Sequence, residues 1–365
     1  MRYYLIAGEM SGDQYGANLM RAIIHTDTNA QFAFWGGTEM KNVGGRQDMS
    51  IESTSFMGLW EVVTNLSRIK SLIKKAKSDI QEFSPDIVIG IDYPGFNLRI
   101  EKWAHKKGYK TAHYISPQIW AWRKYRYKTI KQYVDKLYVI LPFEKSIYEE
   151  LGVDAEYYGH PICERIDKKL IKGWPKEIKT IGLFPGSRLQ EIRKNMPVFA
   201  EMVVSMPNYK FVVSKVKHIP EEEYFACLPE NLKNLSYEDD FHNLVEQSDF
   251  AIACSGTVSL ELALYRVPQI VVYKTSWINY QLARRLVDIK HISLVNLIAG
   301  KRVITELIQE EFNSDKLMAV FKNKCQQENI QSILSSYDSL IKDLDRGESS
   351  KQIAGSIVNW LSKAT

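Results

Sequence analysis

Short apolar runs alternate along the chain with longer segments whose apolar residues recur at helical spacing. This alternation is typical of βα units built around parallel sheets. The runs predict strands at residues 3–7, 32–35, 87–91, 110–115 and 136–140, and again at 180–184, 210–213, 250–253 and 269–273. Helical spacing over 352–361 predicts a terminal helix. The expected fold class is therefore α/β.

The two sets of strands predict two domains. Between them lies a polar stretch that begins after Gly159-His160-Pro161 and ends at Gly173-Trp174-Pro175. A chain of 365 residues is long enough for two domains of ordinary size. We predict one domain over 1–172, a second over 173–345, and a C-terminal helical segment over 346–365. Both halves open with a strand, a glycine- and serine-containing loop, and a helix.

Composition narrows the classes of protein. The chain is 45% hydrophobic and 25% charged, so it resembles a folded protein and not a disordered one. Its four cysteines form no CxxC pair, and its histidines lack the spacing of metal ligands. We therefore expect no disulfide framework, no metal and no other cofactor. The scattered cysteines predict a cytoplasmic protein. No apolar run approaches the length of a spanning helix, so any membrane role is expected to be peripheral. The segment 99–136 is strongly basic, which suggests an anionic partner.

The loop Gly186-Ser187-Arg188 follows a predicted strand and precedes a helix predicted over 191–202. Small residues let a phosphate approach the backbone, a helix N-terminus attracts anions, and an arginine forms bidentate contacts with phosphate. We interpret the loop as an anion site. The alternative is an ordinary βα turn with a solvated arginine.

A second loop of this kind contains Ser255, Gly256 and Thr257. Either hydroxyl could be a plain N-cap of the following helix. Glu261 lies one turn into that helix among apolar residues, where its carboxylate can accept hydrogen bonds from a ribose diol. Two phosphate-type loops and one carboxylate in the same domain predict a nucleoside diphosphate site.

Acidic and hydroxyl side chains also gather at the ends of two strands in the first half. Glu9, Ser11 and Asp13 crowd the first loop and are candidate catalytic residues, although carboxylates at a helix N-terminus are often only caps. The sequence leaves open which of Glu9, Asp13 and Asp92 is the base. Asp92 directly follows the predicted strand 87–91, so it is expected in the crevice at the carboxyl ends of the strands. There it could take a proton from an attacking hydroxyl. The alternative is an aspartate turn before Pro94.

Two segments combine apolar or aromatic residues with cations. The first is an apolar stripe that includes Met57, Leu59, Trp60, Val63 and Leu66 and continues to Leu72 and Ile73, with several cations among and after these residues. It fits a helix in a membrane interface and equally an amphipathic helix packed on a sheet. The second contains Trp120, Trp122 and Arg123 within 119–128. It could stack on single-stranded nucleic acid or lie among lipid headgroups, and the residues leave this choice open.

Eight motifs occur together in order: AGEMSGD at 7–13, GIDYPGFN at 90–97, PQIWAW at 117–122, LPFE at 141–144, GHP at 159–161, PGSR at 185–188, SGT at 255–257 and NLIAG at 296–300. As a set they resemble the lipid-A-disaccharide synthase family. The resemblance implies a GT-B fold, in which two Rossmann-like domains face each other across a cleft and a C-terminal helix returns to the first domain. The first domain would face the acceptor and the membrane, and the second would bind the UDP-sugar.

The resemblance also implies the reaction and its residues. The 6-hydroxyl of 2,3-diacylglucosamine 1-phosphate attacks UDP-2,3-diacylglucosamine with inversion, which gives a β-1,6-linked disaccharide 1-phosphate and UDP. No metal or other cofactor takes part, and the enzyme works as a peripheral protein on the anionic inner face of the inner membrane. On the UDP side the resemblance places Arg188, Ser255, Gly256, Thr257, Glu261, Asn296 and Gln309. On the reacting side it places Glu9, Ser11 and Asp92.

Three positions depart from the family's usual pattern, namely Met10, Gly95 and Val295. They leave the main candidate residues in place, so activity is expected. The nearest competing functions are another GT-B transferase of UDP-N-acetylglucosamine and a UDP-sugar epimerase. Nucleic-acid binding through 120–128, which the family does not predict, and lipid binding without catalysis are the alternatives from other classes.

Overall fold

A computed structural model of the chain describes residues 1–51, 66–175, 177–217, 219–229, 232–277, 280–281 and 290–363. It divides into two compact units. Unit 1 comprises Met1–Glu164 together with Leu344–Thr365, and unit 2 comprises Arg165–Asp343. The functional domain limits at 172 and 345 stay a prediction.

Unit 1 is built on a parallel sheet. Its strands are β1 (Arg2–Ala7), β2 (Gln31–Gly36), β3 (Arg46–Ser50), β4 (Ile87–Ile91), β5 (Lys110–Tyr114), β6 (Lys136–Val139) and β7 (Glu156–Tyr157). Within the described residues their order across the sheet is 3-2-1-4-5-6-7. The central strands are buried on both faces, which explains their continuous apolar sequence.

Helices cover both faces of this sheet. They are α1 (Met10–Thr26), α2 (Thr38–Val43), α3 (Leu66–Phe83), α4 (Pro94–Lys106), α5 (Arg126–Tyr133) and α6 (Glu144–Glu150). Ala76 and Ile80 of α3 are buried in the core, and Leu72 and Ile73 pack against it. This part of the apolar stripe therefore packs on the sheet.

Unit 2 repeats the architecture with another parallel sheet. Its strands are β8 (Thr180–Phe184), β9 (Lys210–Ser214), β10 (Leu235–Glu238), β11 (Phe250–Cys254), β12 (Gln269–Tyr273) and β13 (Thr305–Ile308), in the order 10-9-8-11-12-13. Its helices are α7 (Leu189–Ser205), α8 (Glu222–Phe225), α9 (Phe241–Gln247), α10 (Thr257–Leu264), α11 (Leu294–Ala299), α12 (Ser314–Lys324) and α13 (Gln327–Leu344).

The last helix, α14 (Ser349–Lys363), belongs to unit 1. Ile353, Ile357 and Leu361 enter the same core as α1 and β1. The Tyr138 and Ser356 hydroxyls share a hydrogen bond of 3.0 Å, which joins the helix to β6. The predicted return of the C-terminal helix to the first domain is confirmed, and the helix is longer at both ends than the predicted 352–361.

The nine predicted strands are all present, and four more were not predicted. The unpredicted strands are β3, β7, β10 and β13. All four lie at an edge among the described strands: β3 and β7 are the two edges of the first sheet, and β10 and β13 are those of the second. Edge strands carry polar positions, and β7 has two residues only, so none of them forms the apolar run that predicts an inner strand.

Both sheets reverse their winding direction at one point. In unit 1 the chain runs outward from β1 on one side and from β4 on the other, and in unit 2 the same holds for β8 and β11. Loops that follow two such strands diverge and leave a crevice, where α/β sheets bind ligands. Within the described helices, none is both long and apolar enough to cross a bilayer.

Candidate functional site

In unit 1 the loops after β1 and β4 meet at the crevice between these strands. The Tyr93 ring packs directly on Gly8, because a Cβ at Gly8 would lie 2.5 Å from two atoms of that ring. Only glycine tolerates so close an approach. Gly8 of the first loop therefore leaves room for the ring of Tyr93, the residue after Asp92.

Asp92 begins a strained turn. Asp92 and Tyr93 both adopt left-handed backbone angles, with φ of 49° and 47°. The Asn97 side-chain amide holds this turn by donating to the carbonyl of Asp92 at 2.7 Å and to that of Ile6 at 3.1 Å. Consecutive left-handed non-glycine residues are costly and occur mostly at functional sites. The turn fixes the direction in which the Asp92 carboxylate leaves the strand.

The Asp92 carboxyl is half-buried, and its pKa is raised. Burial is the main cause, and it is opposed by the backbone N–H of Tyr93 and by the charge of His113. Raising the pKa of a carboxylate makes it a stronger base once it is ionised. The Asp92 carboxylate, when ionised, can therefore accept a proton at the end of β4.

The three side chains of the first loop differ in their surroundings. Glu9 and Ser11 are exposed, as is Met10 at 76%. Asp13 is buried, and its carboxylate accepts hydrogen bonds from the backbone N–H groups of Gly37 (2.7 Å), Glu39 (2.9 Å) and Met40 (3.1 Å). It therefore caps the start of α2 and not the N-terminus of α1, in which it lies.

Two residues beneath this loop were not predicted. Glu101 on α4 and His113 on β5 are fully buried, and Glu101 Oε1 lies 2.7 Å from His113 Nδ1. The only sequence signal is a charged or polar residue at a position that otherwise packs as core. A single sequence cannot pair them, because they lie on different elements.

In unit 2 the first phosphate-type loop joins β8 to α7. Gly186 has φ of 118°, and a Cβ there would collide with the Glu191 side chain. Glu191 Oε2 accepts the backbone N–H groups of Ser187 (3.1 Å) and Arg188 (3.2 Å). The Arg188 side chain is 83% exposed. This loop therefore offers an anion the exposed guanidinium, while Glu191 occupies its backbone donors.

The second loop, Ser255-Gly256, joins β11 to α10. Ser255 Oγ donates to the carbonyl of Ile292 at 3.0 Å, and among the described residues no side chain caps α10. The N-cap interpretation of this loop is therefore wrong. Gly256 and Thr257 are exposed, and a Cβ at Gly256 would meet open space. The first N–H groups of α10 are the donors that phosphates use.

Glu261 lies one turn further along α10. Its side chain is only 17% exposed, and Oε1 lies 3.9 Å from the Arg165 guanidinium. Burial raises the pKa of Glu261, while Arg165 and His242 act in the opposite direction. The carboxylate is thus near the loop with acceptor capacity for a diol.

The side-chain amides of Asn296 and Gln309 form hydrogen bonds with backbone groups of neighbouring loops. Asn296 Nδ2 donates to the Ile304 carbonyl and to Glu306 Oε1, each at 2.9 Å, and Oδ1 accepts the N–H groups of Val303 (2.7 Å) and Ile304 (3.0 Å). Gln309 Oε1 accepts the Thr275 N–H at 2.7 Å. Their side-chain amides are occupied by these partners, so they position the surrounding loops.

We expect Asn296→Ala to lower the free energy of unfolding by about 2–3 kcal/mol, because it leaves buried backbone groups and Glu306 without their partner. For a unit of this size that is a fall in the melting temperature of roughly 4–12 °C. Differential scanning calorimetry, carried out with and without UDP, measures the melting temperature. The exposed Asn208 supplies the control variant Asn208→Ala. A melting temperature equal in the two variants would contradict the positioning role.

The aromatic and basic segment is partly anchored. Trp120 Nε1 donates to Glu144 Oε1 at 3.1 Å, and burial raises the pKa of Glu144 to about 7. The Arg123 guanidinium lies 4.1 Å from the centre of the Trp122 ring, and Arg123 itself is exposed. The segment is thus held at the partly buried Trp120 and ends in an exposed cationic tip. Met57, Leu59, Trp60, Val63 and the side chain of Leu66 lie outside the described residues.

Comparison with known proteins extends these observations. A family model described as lipid-A-disaccharide synthetase matches residues 3–357. The lipid-A-disaccharide synthase of Trichlorobacter lovleyi is 38% identical over 328 residues, which covers 87% of this chain and 86% of that relative.

Two solved structures share the fold. A glycotransferase of kitacinnamycin has a TM-score of 0.67 and 13% identity, with 98% of each chain covered. A UDP-GlcNAc 2-epimerase from Neisseria meningitidis has a TM-score of 0.66 and 13% identity, covering 98% of this chain and 100% of that one. At such identities the likeness concerns the fold, and it confirms the predicted GT-B class with two Rossmann-like domains.

Proposed function

The chain belongs to the lipid-A-disaccharide synthase family, and from this premise we propose that it is an inverting, metal-independent transferase with two acylated substrates. The donor is UDP-2,3-diacylglucosamine and the acceptor is 2,3-diacylglucosamine 1-phosphate. The acceptor 6-hydroxyl attacks the anomeric carbon from the face opposite UDP. A carbon–oxygen bond forms there, the bond to the diphosphate breaks, and the hydroxyl proton passes to a base.

We assign the base to Asp92. Asp13 has both carboxylate oxygens committed to backbone N–H groups of α2, whereas Asp92 stands at the end of β4 in the crevice, with a raised pKa. Glu9 and Ser11 flank the same crevice and are suited to binding hydroxyl groups of the acceptor. This assignment separates the base from the residues that bind the acceptor and from Asp13, which caps a helix.

Unit 2 is proposed to bind the nucleotide part of the donor. The exposed Arg188 guanidinium and the uncapped N-terminus of α10 are the two positive groups suited to the diphosphate. Gly186, Ser187, Ser255, Gly256 and Thr257 shape these two loops. Glu261 accepts the ribose hydroxyls, and Asn296 and Gln309 hold the neighbouring backbone in position.

Metal independence follows from the leaving group. A nucleoside diphosphate is already a good leaving group, so its departure needs positive charge but no proton. Arg188 and the helix N-terminus provide that charge in fixed positions. One base and no general acid are then sufficient.

The family match over residues 3–357 is the observation that carries this proposal. A GT-B epimerase shares the fold, but the alternative of another transferase or an epimerase is not favoured by the family and the named relative.

The anomeric configuration of the product, measured by NMR with and without EDTA, tests the mechanism. We expect a β-linked disaccharide 1-phosphate in equal yield under both conditions. An α-linked product would exclude inversion, and loss of product in EDTA would exclude metal independence.

We further propose that unit 1 works at the anionic inner face of the inner membrane, as a peripheral protein. Acylated substrates are held in that surface, and exposed cations next to aromatic rings favour anionic headgroups. The tip formed by Arg123, Lys124 and Tyr125 is exposed and follows the anchored Trp120. This favours a lipid partner for the segment over nucleic acid.

We expect the double variant Arg123→Glu and Lys124→Glu to weaken binding to phosphatidylglycerol-containing vesicles at least tenfold, since each cation near such a surface contributes about 1 kcal/mol. Vesicle sedimentation measures the partition. Lys179→Glu with Lys217→Glu changes the net charge equally at exposed positions of unit 2 and serves as the control. If both double variants lost vesicle binding equally, net charge alone would explain the effect, and a specific role of the tip would be contradicted.

A further inference from the structure

Glu101 and His113 form an ion-pairing couple in the core of unit 1. Their side chains are 1% and 0% exposed, and Glu101 Oε1 lies 2.7 Å from His113 Nδ1. The second carboxylate oxygen and Nε2 make no hydrogen bond of ordinary geometry within the described residues. Such a buried couple seldom adds stability compared with apolar residues of similar size. It therefore calls for a role other than packing.

The fold makes room for this couple at one position. Gly90 stands in the middle of β4, where an apolar side chain would ordinarily add to the core. A Cβ at Gly90 would collide with Glu101 Oε1 and would approach the Asn97 side chain to 2.9 Å. The missing side chain thus admits Glu101 to the surface of the sheet. Gly90 is also the register partner of His113 on β5.

Asp92 directly follows β4, two residues beyond Gly90, and lies next to this couple. The backbone N–H of Asp92 donates to the carbonyl of Tyr114, the residue after His113, at 2.8 Å. The charge of His113 lowers the pKa of Asp92, and that of Asp92 raises the pKa of His113. Helix α4 contributes both Asn97, which fixes the Asp92 turn, and Glu101, which fixes His113.

We propose that Glu101 and His113 are positioning residues that keep a proton and its positive charge beneath Asp92, so that Asp92 is ionised when the acceptor hydroxyl arrives. This role rests on the proposed function of Asp92 as the base. Glu101 accepts a hydrogen bond from His113 Nδ1–H and so favours the imidazolium, which carries a proton on both ring nitrogens. The positive charge of this imidazolium offsets the burial of the Asp92 carboxylate. No proton leaves His113 during turnover, because the acceptor proton goes to Asp92.

The charges around the couple raise the pKa of His113. Burial lowers the pKa of His113, but Glu101 first and then Asp92 more than offset it, so the pKa lies above its ordinary value. The titratable side chain that acts on the Asp92 carboxyl is His113, and the backbone N–H of Tyr93 adds a hydrogen bond. Glu9 acts on the phenol of Tyr93. The charged side chain that acts on the Asp92 carboxylate is therefore His113.

The test is the dependence of kcat on pH at saturating donor and acceptor, measured as UDP release for wild type, His113→Gln and Glu101→Gln. Without the neighbouring positive charge the pKa of Asp92 rises, so the acid limb of the profile should move upward by about one unit in both variants. Below that limb kcat is then about tenfold lower than that of wild type. The plateau at high pH and both KM values should change less than threefold.

His105→Gln provides the matched control, because His105 also lies on α4 and pairs with a carboxylate, Asp135, at 3.4 Å on the surface. Its acid limb should coincide with that of wild type. Glu101→Gln keeps the shape of the side chain, so it carries the test if His113→Gln does not fold. An acid limb unmoved in the folded variants would overturn the proposal and reduce the couple to a structural role.

A parallel profile of Asp92→Asn separates the two proposals. If Asp92→Asn is inactive while the limbs of the other variants do not move, the couple has no influence and Asp92 remains the base. If Asp92→Asn is as active as wild type, the assignment of the base fails, and the role of the couple fails with it.

Discussion

Replacing Asp92 by asparagine is expected to lower kcat by between about 100-fold and 10,000-fold, which is the range that a general base contributes. Asparagine keeps the size of the side chain but cannot take a proton from the acceptor hydroxyl. The turn itself should persist, because Asn97 holds it through the backbone carbonyl of Asp92. Turnover and UDP binding by calorimetry are the two measurements.

The affinity for UDP should stay within twofold of wild type in Asp92→Asn, since the nucleotide is assigned to unit 2. Asp154→Asn makes the same chemical change at an exposed position of unit 1 and should leave kcat unchanged. Full activity of Asp92→Asn would remove Asp92 as the base. Loss of UDP affinity together with activity would indicate a structural defect.

Arg188→Ala is expected to lower kcat/KM for the donor by about 100-fold to 1,000-fold, as does the loss of one fixed group that stabilises developing charge. The side chain is mostly exposed, and its ion pair with Glu191 is long at 3.7 Å. Its removal should therefore cost little stability. Arg188→Lys should restore only part of the activity, because lysine keeps the charge but loses the bidentate geometry.

Arg193→Ala is the control for this change. Arg193 lies on the same helix, but its guanidinium is paired with Glu223 at 2.7 and 2.5 Å. Its replacement should leave the donor kinetics unchanged. An equal fall in kcat/KM for both variants would show that a general loss of positive charge, and not the position of Arg188, affects donor binding.

The inner strands of both sheets were predictable because burial on two faces demands continuous apolar residues. β4, β8 and β12 have the predicted limits. The edge strands β3 and β10 were not predictable, because their one-sided packing allows residues such as Arg46, Asp48 and Glu238. Pairing with a neighbour, and not their own sequence, makes them strands.

The candidate site was predictable where a loop follows an apolar strand. Asp92, Arg188 and Ser255 all lie at the two points where the sheets reverse their winding direction. The use of each side chain was less predictable. Asp13 and Asn296 fit a site by their type, yet their hydrogen bonds go to nearby backbone. Such commitments depend on chain segments brought together only by folding.

The contact between Glu101 and His113 was also not predictable from the sequence. Neither residue belongs to a spacing motif, and their contact requires the gap that Gly90 leaves in β4. A glycine in a predicted strand signals a close approach. It does not say which helix makes that approach, and the structure supplies this.

The proposed transfer reaction is tested most directly by a turnover assay in detergent with UDP-2,3-diacylglucosamine and 2,3-diacylglucosamine 1-phosphate, each also omitted in turn. We expect UDP and disaccharide 1-phosphate in equal amounts when both substrates are present, and neither product when one is missing. UDP binding without any disaccharide, or conversion of the donor without the acceptor, would contradict the proposed reaction.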